Sequence, residues 1–349
     1  MAYQFVDPFD HYNSAALLYE YVSGSCPISS SYVRNAAIAG FPNQGIYVPA
    51  NNAVRKNLKS NQGTLITFLT YGAVSLPSSG WAPICAWLDA GTYQCYLGVS
   101  ATGQIGILNA PGGSLPGTVL AASAPGLIAP APTTAPNHGI EVQITFGASG
   151  SVKVWLDGAV VIALTAGLNT INSANAYANQ VQLGWPFAGV GLYCDYLRVW
   201  DSSGSYQNAP VGYDVRKLTK LPSGAGALTQ WTPNGLSANW QNASQNPPNP
   251  SDYNSSNGTL YDAYGMPVAG FAGIPSMTVA KSYVEKDDSN TRSIQIGVRS
   301  GSSNGLGAAV TLGSSYVFID TCISTDPATG AVPTAAAADA FQHLKYENV

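Results

Sequence analysis

Charge is scarce in this 349-residue chain. Asp, Glu, Lys and Arg make up 9% of it, against ~25% in an ordinary soluble protein. A hydrophobic fraction of 46% accompanies that deficit, so the chain is not a charge-rich disordered segment. Lys and Arg number 14 and the net charge is −4. A nucleic-acid binder needs clustered cations to displace counterions. The densest basic runs, Arg55-Lys56-Asn57-Leu58-Lys59 and Arg216-Lys217-Leu218-Thr219-Lys220, hold three each, and no nucleic-acid partner is expected. No apolar run approaches the ~18–20 residues of a membrane span, so no membrane partner is expected either. The opening residues, Met1-Ala2-Tyr3-Gln4-Phe5, lack a basic and then apolar leader; folding is expected where the chain is made, in a cytoplasm.

Paired catalytic groups are missing as well. The four glutamates, Glu20, Glu141, Glu285 and Glu347, lie no closer than 62 residues apart. A retaining glycosidase on a sandwich sets two carboxyls ~5–5.5 Å apart, which close spacing on one strand provides. Asp287-Asp288 beside Glu285 is read as a solvated turn, with Lys286 and Arg292 close by. His11, His138 and His343 share no metal-ligand spacing, and neither a metal nor a cofactor is expected. Cys26, Cys85, Cys95, Cys194 and Cys322 are odd in number and contain no C-x-x-C, which argues against a disulfide framework or a zinc site. Cys85 and Cys95 flank the turn Asp89-Ala90-Gly91; they are read as small buried hydrophobes, with pairing across the hairpin as the alternative. Gly301-Ser302-Ser303-Asn304-Gly305 fits G-x-S-x-G, but it lies between strand-like runs and is read as a turn rather than a nucleophile elbow. The chain is expected not to be an enzyme.

What remains is β-sheet chemistry. Twenty tyrosines stand beside three methionines, with 37 glycines and 23 prolines, and aromatic rings suit a half-buried pleated surface. Short β-branched and aromatic runs alternate with Gly, Asn, Ser and Pro turns. Strands are predicted over 64–71, 83–88, 92–99, 104–108, 140–146, 151–156, 160–164 and 191–200. Asp157-Gly158 supplies the positive-φ pair of a tight hairpin turn. Closely spaced strands without crossover helices pair antiparallel and must bury one face against a second sheet. The predicted architecture is all-β: an antiparallel jelly-roll sandwich over 1–206, with Phe68, Trp87, Ile144, Val154 and Leu197 pointing inward. A junction at 207–212 and a smaller β-rich domain over 213–349 follow. Further strand-like runs there cover 276–280, 293–298, 308–312 and 315–319, and Thr334 caps a terminal helix over 334–344. The Pro-rich stretch 124–137 is read as a surface loop.

Aromatics near loops are the remaining candidate contacts. Trp185, Trp231, Trp240, Tyr253 and Tyr261 are candidates for stacking on a sugar ring or on a neighbouring subunit, with Trp81 and Tyr264 beside them; core packing is the alternative.

Phe5-Val6-Asp7-Pro8-Phe9-Asp10-His11-Tyr12, Val154-Trp155-Leu156-Asp157-Gly158 and Asp195-Tyr196-Leu197-Arg198-Val199-Trp200-Asp201 through Gly204 form one set. Gly212-Tyr213-Asp214-Val215-Arg216, Trp231-Thr232-Pro233-Asn234, Asp252-Tyr253 and Asp326-Pro327-Ala328-Thr329-Gly330 continue it. Together they resemble concanavalin A-like (laminin-G-like) β-sandwich proteins of tailed bacteriophages and prophages. There the last motif runs into a Trp-Thr pair, where this chain has Pro333-Thr334. The resemblance implies a structural virion protein on a head or tail surface, assembled in the host cytoplasm, with no catalytic residues to carry over. A host-glycan-binding adhesin is the alternative. The implied partners are further copies of the chain, as a homo-oligomer with a trimer as one option, other virion proteins, and a host-surface glycan.

Overall fold

The structure is a computed structural model. It describes residues 3–7, 9, 22–23, 33–34, 45–73, 75–109, 111, 117–129, 138–185, 190–194, 196–203, 209–210, 219–246, 248–270, 275 and 278–348. The chain divides into two compact units, Met1–Lys217 and Leu218–Val349. The expected junction at 207–212 lies outside the described residues except for 209–210. Most of the Pro-rich loop, Cys26 and His11 lie outside them too.

Unit 1 contains strands β1 (Tyr3–Asp7), β2 (Val22–Ser23), β3 (Val33–Arg34), β4 (Gly45–Val48) and β5 (Ala53–Gln62). They are followed by β6 (Thr64–Ala73), β7 (Trp81–Asp89), β8 (Thr92–Ser100), β9 (Ile105–Asn109) and β10 (Thr118–Ala122). The unit closes with β11 (His138–Thr145), β12 (Gly150–Leu156), β13 (Ala159–Leu168), β14 (Ala178–Gly184), β15 (Leu192–Cys194) and β16 (Leu197–Trp200). One sheet runs β13-β12-β11-β6-β15-β4-β3, with β16 on β6 and β1 on β16; the other runs β10-β9-β8-β7-β14-β5-β2. All their pairings are antiparallel. The result is the all-β sandwich that the alternation predicted.

The period of two along each strand sorts the faces. Val54, Leu183, Cys85 and Leu97 lie opposite one another across the second sheet, as do Lys56, Val181, Trp87 and Cys95. The Trp87 indole N–H donates to Thr67 Oγ1 at 2.9 Å, which ties that face to the first sheet. Val154 pairs with Val142 and Leu197 with Leu69, on the Thr67 side of the first sheet. Phe68 corrects the expectation, because its neighbours in register are Glu141 and Arg198 on the opposite face. It is buried there among Ile66, Tyr196 and Trp200. Cys85 and Cys95 are buried thiols diagonal across the hairpin rather than a disulfide, and burial pushes both thiols up. The two predicted turns are present: Ala90 and Gly91 have φ of 46° and 93°, and Asp157 and Gly158 have 51° and 82°.

Unit 2 contains β17 (Gly224–Thr229), β18 (Thr232–Asn234), α1 (Asn239–Ala243), β19 (Tyr253–Ser255), β20 (Tyr261–Gly265) and β21 (Thr278–Val284). After them come β22 (Ser293–Ser300), β23 (Ser303–Leu306), β24 (Val310–Thr311), β25 (Val317–Ile323), α2 (Ala335–Asp339) and β26 (Gln342–Asn348). A sheet of order β17-β20-β26-β22-β23, with β24 on β22, is joined by ribbons β18-β19 and β21-β25.

The predicted helix over 334–344 is corrected to five residues. Thr334 does cap it, accepting from the Ala337 N–H at 3.2 Å, but α2 ends at Asp339. Gln342–Asn348 is instead an interior strand between β20 and β22. The alanine run has the helix propensity; beyond it Phe341 and Leu344 are needed in the core and win over continuation. Gly301 starts the turn between β22 and β23, so the G-x-S-x-G match is a hairpin turn as read.

Candidate functional site

In unit 1 the outer face of the second sheet gathers polar side chains. β5 and β14 are adjacent and antiparallel, so alternate residues bring Arg55 opposite Gln182 and Asn57 opposite Gln180. Arg55 Nε and Nη2 both donate to Gln182 Oε1, at 3.1 and 2.8 Å. The Gln182 amide N–H donates to the Tyr93 hydroxyl at 3.2 Å and to the Gly184 carbonyl at 3.1 Å. Tyr93 stacks on Trp185 with ring centroids 4.1 Å apart, and the Arg55 guanidinium lies 6.0 Å from the Tyr93 ring centroid. Beside them the Gln180 amide donates to Asn57 Oδ1 at 2.8 Å, and Gln180 Oε1 accepts from the Gly91 N–H at 3.0 Å.

This arrangement presents one permanent cation and a phenol, both half-buried and held in place, beside a row of amides. Gln182 uses two of the five guanidinium N–H groups, and the rest of the fork matches a carboxylate or a pair of hydroxyls. The Tyr93 O–H donates to Gln182 Oε1 at 3.3 Å, so the lone pair left on its oxygen is what it offers to a ligand's hydroxyl. The sequence reading passed over Arg55 as part of a basic run and did not single out Gln182 or Tyr93. The readable signal was the polar alternation Gln180, Gln182 along a strand whose other face is Val181 and Leu183.

Trp185 itself is a correction. It is 2% exposed, packed with Ala86, Leu88, Tyr96 and Leu108, so it supports Tyr93 from below and is not a surface contact. The other candidates fall in unit 2. Trp231 is half-buried against Val284, Ile294 and Ile296, and its indole donates to the Leu260 carbonyl. Tyr253 is 43% exposed. Tyr261 stacks on Tyr346 with centroids 4.4 Å apart, on the sheet face opposite Asp262. Trp240, by contrast, lines a cavity of about 180 Å3 together with Ala225, Thr229, Ala238, Asn239, Ala263 and Tyr264. Tyr264 is 1% exposed.

Behind that cavity lies a polar network absent from the sequence reading. The fully buried Asp262 carboxylate accepts from Asn239 Nδ2 at 3.0 and 2.9 Å and from the Tyr264 hydroxyl at 2.7 Å. Asn254 Nδ2 donates to the same hydroxyl at 2.9 Å. Burial pushes the Asp262 carboxyl up, against the hydrogen bonds from Tyr264 and Asn239. Burial lowers Lys345 to about 8, with Asp262 pulling the other way, and lowers His343 to about 3. A charged residue inside the aromatic strand Tyr261-Asp262-Ala263-Tyr264 was the sequence signal for this network.

Elsewhere Asp288 and Arg292 pair at 2.8 Å in a turn. His138 Nδ1 lies 2.7 Å from Asp157 on the β12–β13 turn. Among the described residues no group of three His, Cys, Asp or Glu side chains is placed to hold a metal. No helix among them is long and apolar enough to cross a membrane.

No family model and no curated protein matches the chain. Solved structures do. An endo-β-1,4-glucuronan lyase from the fungus Trichoderma reesei matches at 14% identity and a TM-score of 0.34, covering 48% of this chain and 90% of its own. An alginate lyase in complex with an alginate trisaccharide matches at 11% and 0.38, covering 57% and 98%. A carbohydrate esterase from the Shiga toxin-encoding bacteriophage phi24B matches at 10% and 0.39, covering 57% and 97%. These neighbours are carbohydrate-processing β-sandwich proteins, and on that finding the expectation that the chain is not an enzyme is withdrawn. At these scores no neighbour's activity carries over to this chain.

Proposed function

We propose that this protein engages a carboxylate-bearing glycan through Arg55, Gln182 and Tyr93, and that it does so on the surface of a tailed-phage virion. One observation carries the glycan reading: a guanidinium is locked by a buried amide beside a stacked phenol, on a sheet face lined with Asn57 and Gln180. Glycans are recognised by planar polar side chains held in advance, because ordering them at the moment of binding would cost rotamer entropy. The virion assignment is supported by the phage-type motifs in the sequence. Assembly as a homo-oligomer there is supported by the 9% charge content, which leaves little repulsion between copies.

The test is an array of acidic and neutral polysaccharides probed with the full chain, with release of new chain ends followed in the same incubations. Retention on uronic-acid polymers that falls at least tenfold in Arg55→Ala and in Tyr93→Phe is the expected result. Equal retention by the Arg55→Ala protein, or no retention on any glycan, would overturn it. Immunogold labelling of intact particles and light scattering of the purified protein test the virion and oligomer assignments separately.

A further inference from the structure

The cavity beside Trp240 is small, open on one side and lined mainly by carbon. Three alanines, Ala225, Ala238 and Ala263, leave its space open beside Trp240 and Tyr264, and Asn239 and Thr229 are the other lining residues. At about 180 Å3 it falls below the ~300–1,000 Å3 of pockets that enclose a whole drug-sized ligand. It admits one substituent rather than a complete oligosaccharide.

Asn239 decides what that substituent must offer. Its Nδ2 donates to the Trp231 carbonyl at 2.8 Å and to both oxygens of Asp262. The carboxylate and the carbonyl are acceptors, so the amide cannot be turned round without setting Oδ1 against them. Oδ1 is therefore the atom of this buried amide able to take a ligand's hydrogen, from an N–H or an O–H; beside an apolar lining, a donor attached directly to a methyl-bearing group suits it, and an amide N–H is such a donor. No Lys or Arg lines the cavity, so a charged acid finds no counter-ion there. A small apolar end with an adjacent N–H, on a molecule whose remainder stays outside, describes a methyl amide.

We propose that this cavity receives the acetamido group of an N-acetylated amino sugar. The methyl enters beside Trp240 and Tyr264, the alanines supply its room, and the amide N–H donates to Asn239 Oδ1. This site is separate from Arg55 and Tyr93, and it holds or fails without them.

Saturation-transfer NMR on the full chain tests it, with N-acetylglucosamine, glucose, glucosamine and 6-O-acetylglucose as probes. The expected result is strongest saturation on the N-acetyl methyl and at least tenfold weaker signals from the other three sugars. Ala225→Leu, which fills the cavity from β17, is expected to remove the methyl signal, while Arg55→Ala leaves it unchanged. Equal signals from glucose and N-acetylglucosamine would overturn the site. A 6-O-acetylglucose signal equal to that of N-acetylglucosamine would overturn the role of Asn239. If Ala225→Leu does not fold, the four-sugar comparison on the unaltered protein decides.

Discussion

The two units put buried polar groups on different sheet faces: Gln182, Glu141 and Arg198 of unit 1 lie on faces turned away from Trp87, whereas Asp262 and His343 of unit 2 lie on the face of its apolar clusters. In unit 1 the space between the sheets is filled by mainly apolar rows around Trp87, with Lys56 at the end of one row, and the amides and the Arg55 guanidinium lie on the outer face of a sheet. In unit 2 the interior face of the sheet carries Asp262, Tyr264, His343 and Lys345 in register with Ile296 and Val298. The apolar clusters on that face are modest: Val284, Ile294, Ile296, Leu312 and Ile319 in one, Ala280, Val298, Ile323 and Phe341 in the other. A small unit buries less apolar surface per residue, and here hydrogen-bonded polar groups fill part of the interior. The lesson is that the space between the sheets of unit 1 rests on large packed rings such as Trp87, while the interior of unit 2 rests also on satisfied donors and on which groups are charged.

The largest expected effect breaks unit 1. Trp87→Ala removes a fully buried ring and its bond to Thr67, and should cost about 3–5 kcal/mol. Amide hydrogen exchange on the full chain should show β6 and β7 losing protection while β20 and β26 keep theirs; equal loss in both units would erase the contrast. Next, Asp262→Ala strips Asn239 Nδ2 and the Tyr264 hydroxyl of their acceptor inside unit 2. An orphaned buried donor costs about 1–3 kcal/mol, and β20 and β26 are where exchange should quicken. An unchanged denaturation midpoint would show the network to be dispensable.

The third test uses pH. His343 titrates near 6.5 when unfolded and at about 3 when folded, so between those values the unfolded chain binds the extra proton. Stability of unit 2 therefore rises with pH across this window and is lost on acidification. From pH 6.5 to 5 the loss is on the order of 2 kcal/mol. At lower pH Asp262, with its carboxyl pushed up by burial, contributes in the opposite sense. His343→Phe keeps a ring against Tyr264 and should flatten the slope; a slope as steep as that of the unaltered protein would assign it elsewhere.

Legibility in the sequence follows the same division. The hairpins of unit 1 could be read because alternation and turn residues agree: Ile140-Glu141-Val142 through Asp157-Gly158 predicts its own register. Phe68 was assigned to the wrong face because both faces of β6 are buried, and period two then carries no direction. Trp185 looked like a loop aromatic because only pairing with β5 and β7 shows what lies on top of it. In unit 2, 342–344 reads as the end of a helix because it follows an alanine run, and only the two sheet neighbours of 342–348 make it a strand. Asp262, Asn239 and Tyr264 meet from separate elements, and no local spacing announces that. The Arg55–Gln182 pair spans 127 residues and is invisible for the same reason.

The smallest prediction sharpens the contrast at the turns. Among the described residues the non-glycine positive-φ positions, Phe9, Asn51, Ala90 and Asp157, all belong to unit 1, whereas Gly235, Gly270, Gly301 and Gly330 supply the corresponding positions of unit 2. Ala90 is the informative one, exposed at the first position of the β7–β8 turn with φ of 46°. A two-residue turn of this hand needs positive φ at both residues, and alanine there places Cβ against the following carbonyl at a cost of about 1–2 kcal/mol. Ala90→Gly removes that strain but loosens the unfolded chain by about 0.4–1 kcal/mol. The N–H bond to Asn179 Oδ1 survives, because it belongs to the backbone. The balance is a gain of about 0.5 kcal/mol. Asp157→Gly should go the other way, since the Asp157 carboxylate accepts from the Gly139 N–H at 2.9 Å and lies against His138. Chemical denaturation of the two variants side by side reads the sign. A loss of stability in both variants would show that the Ala90 backbone holds no strain.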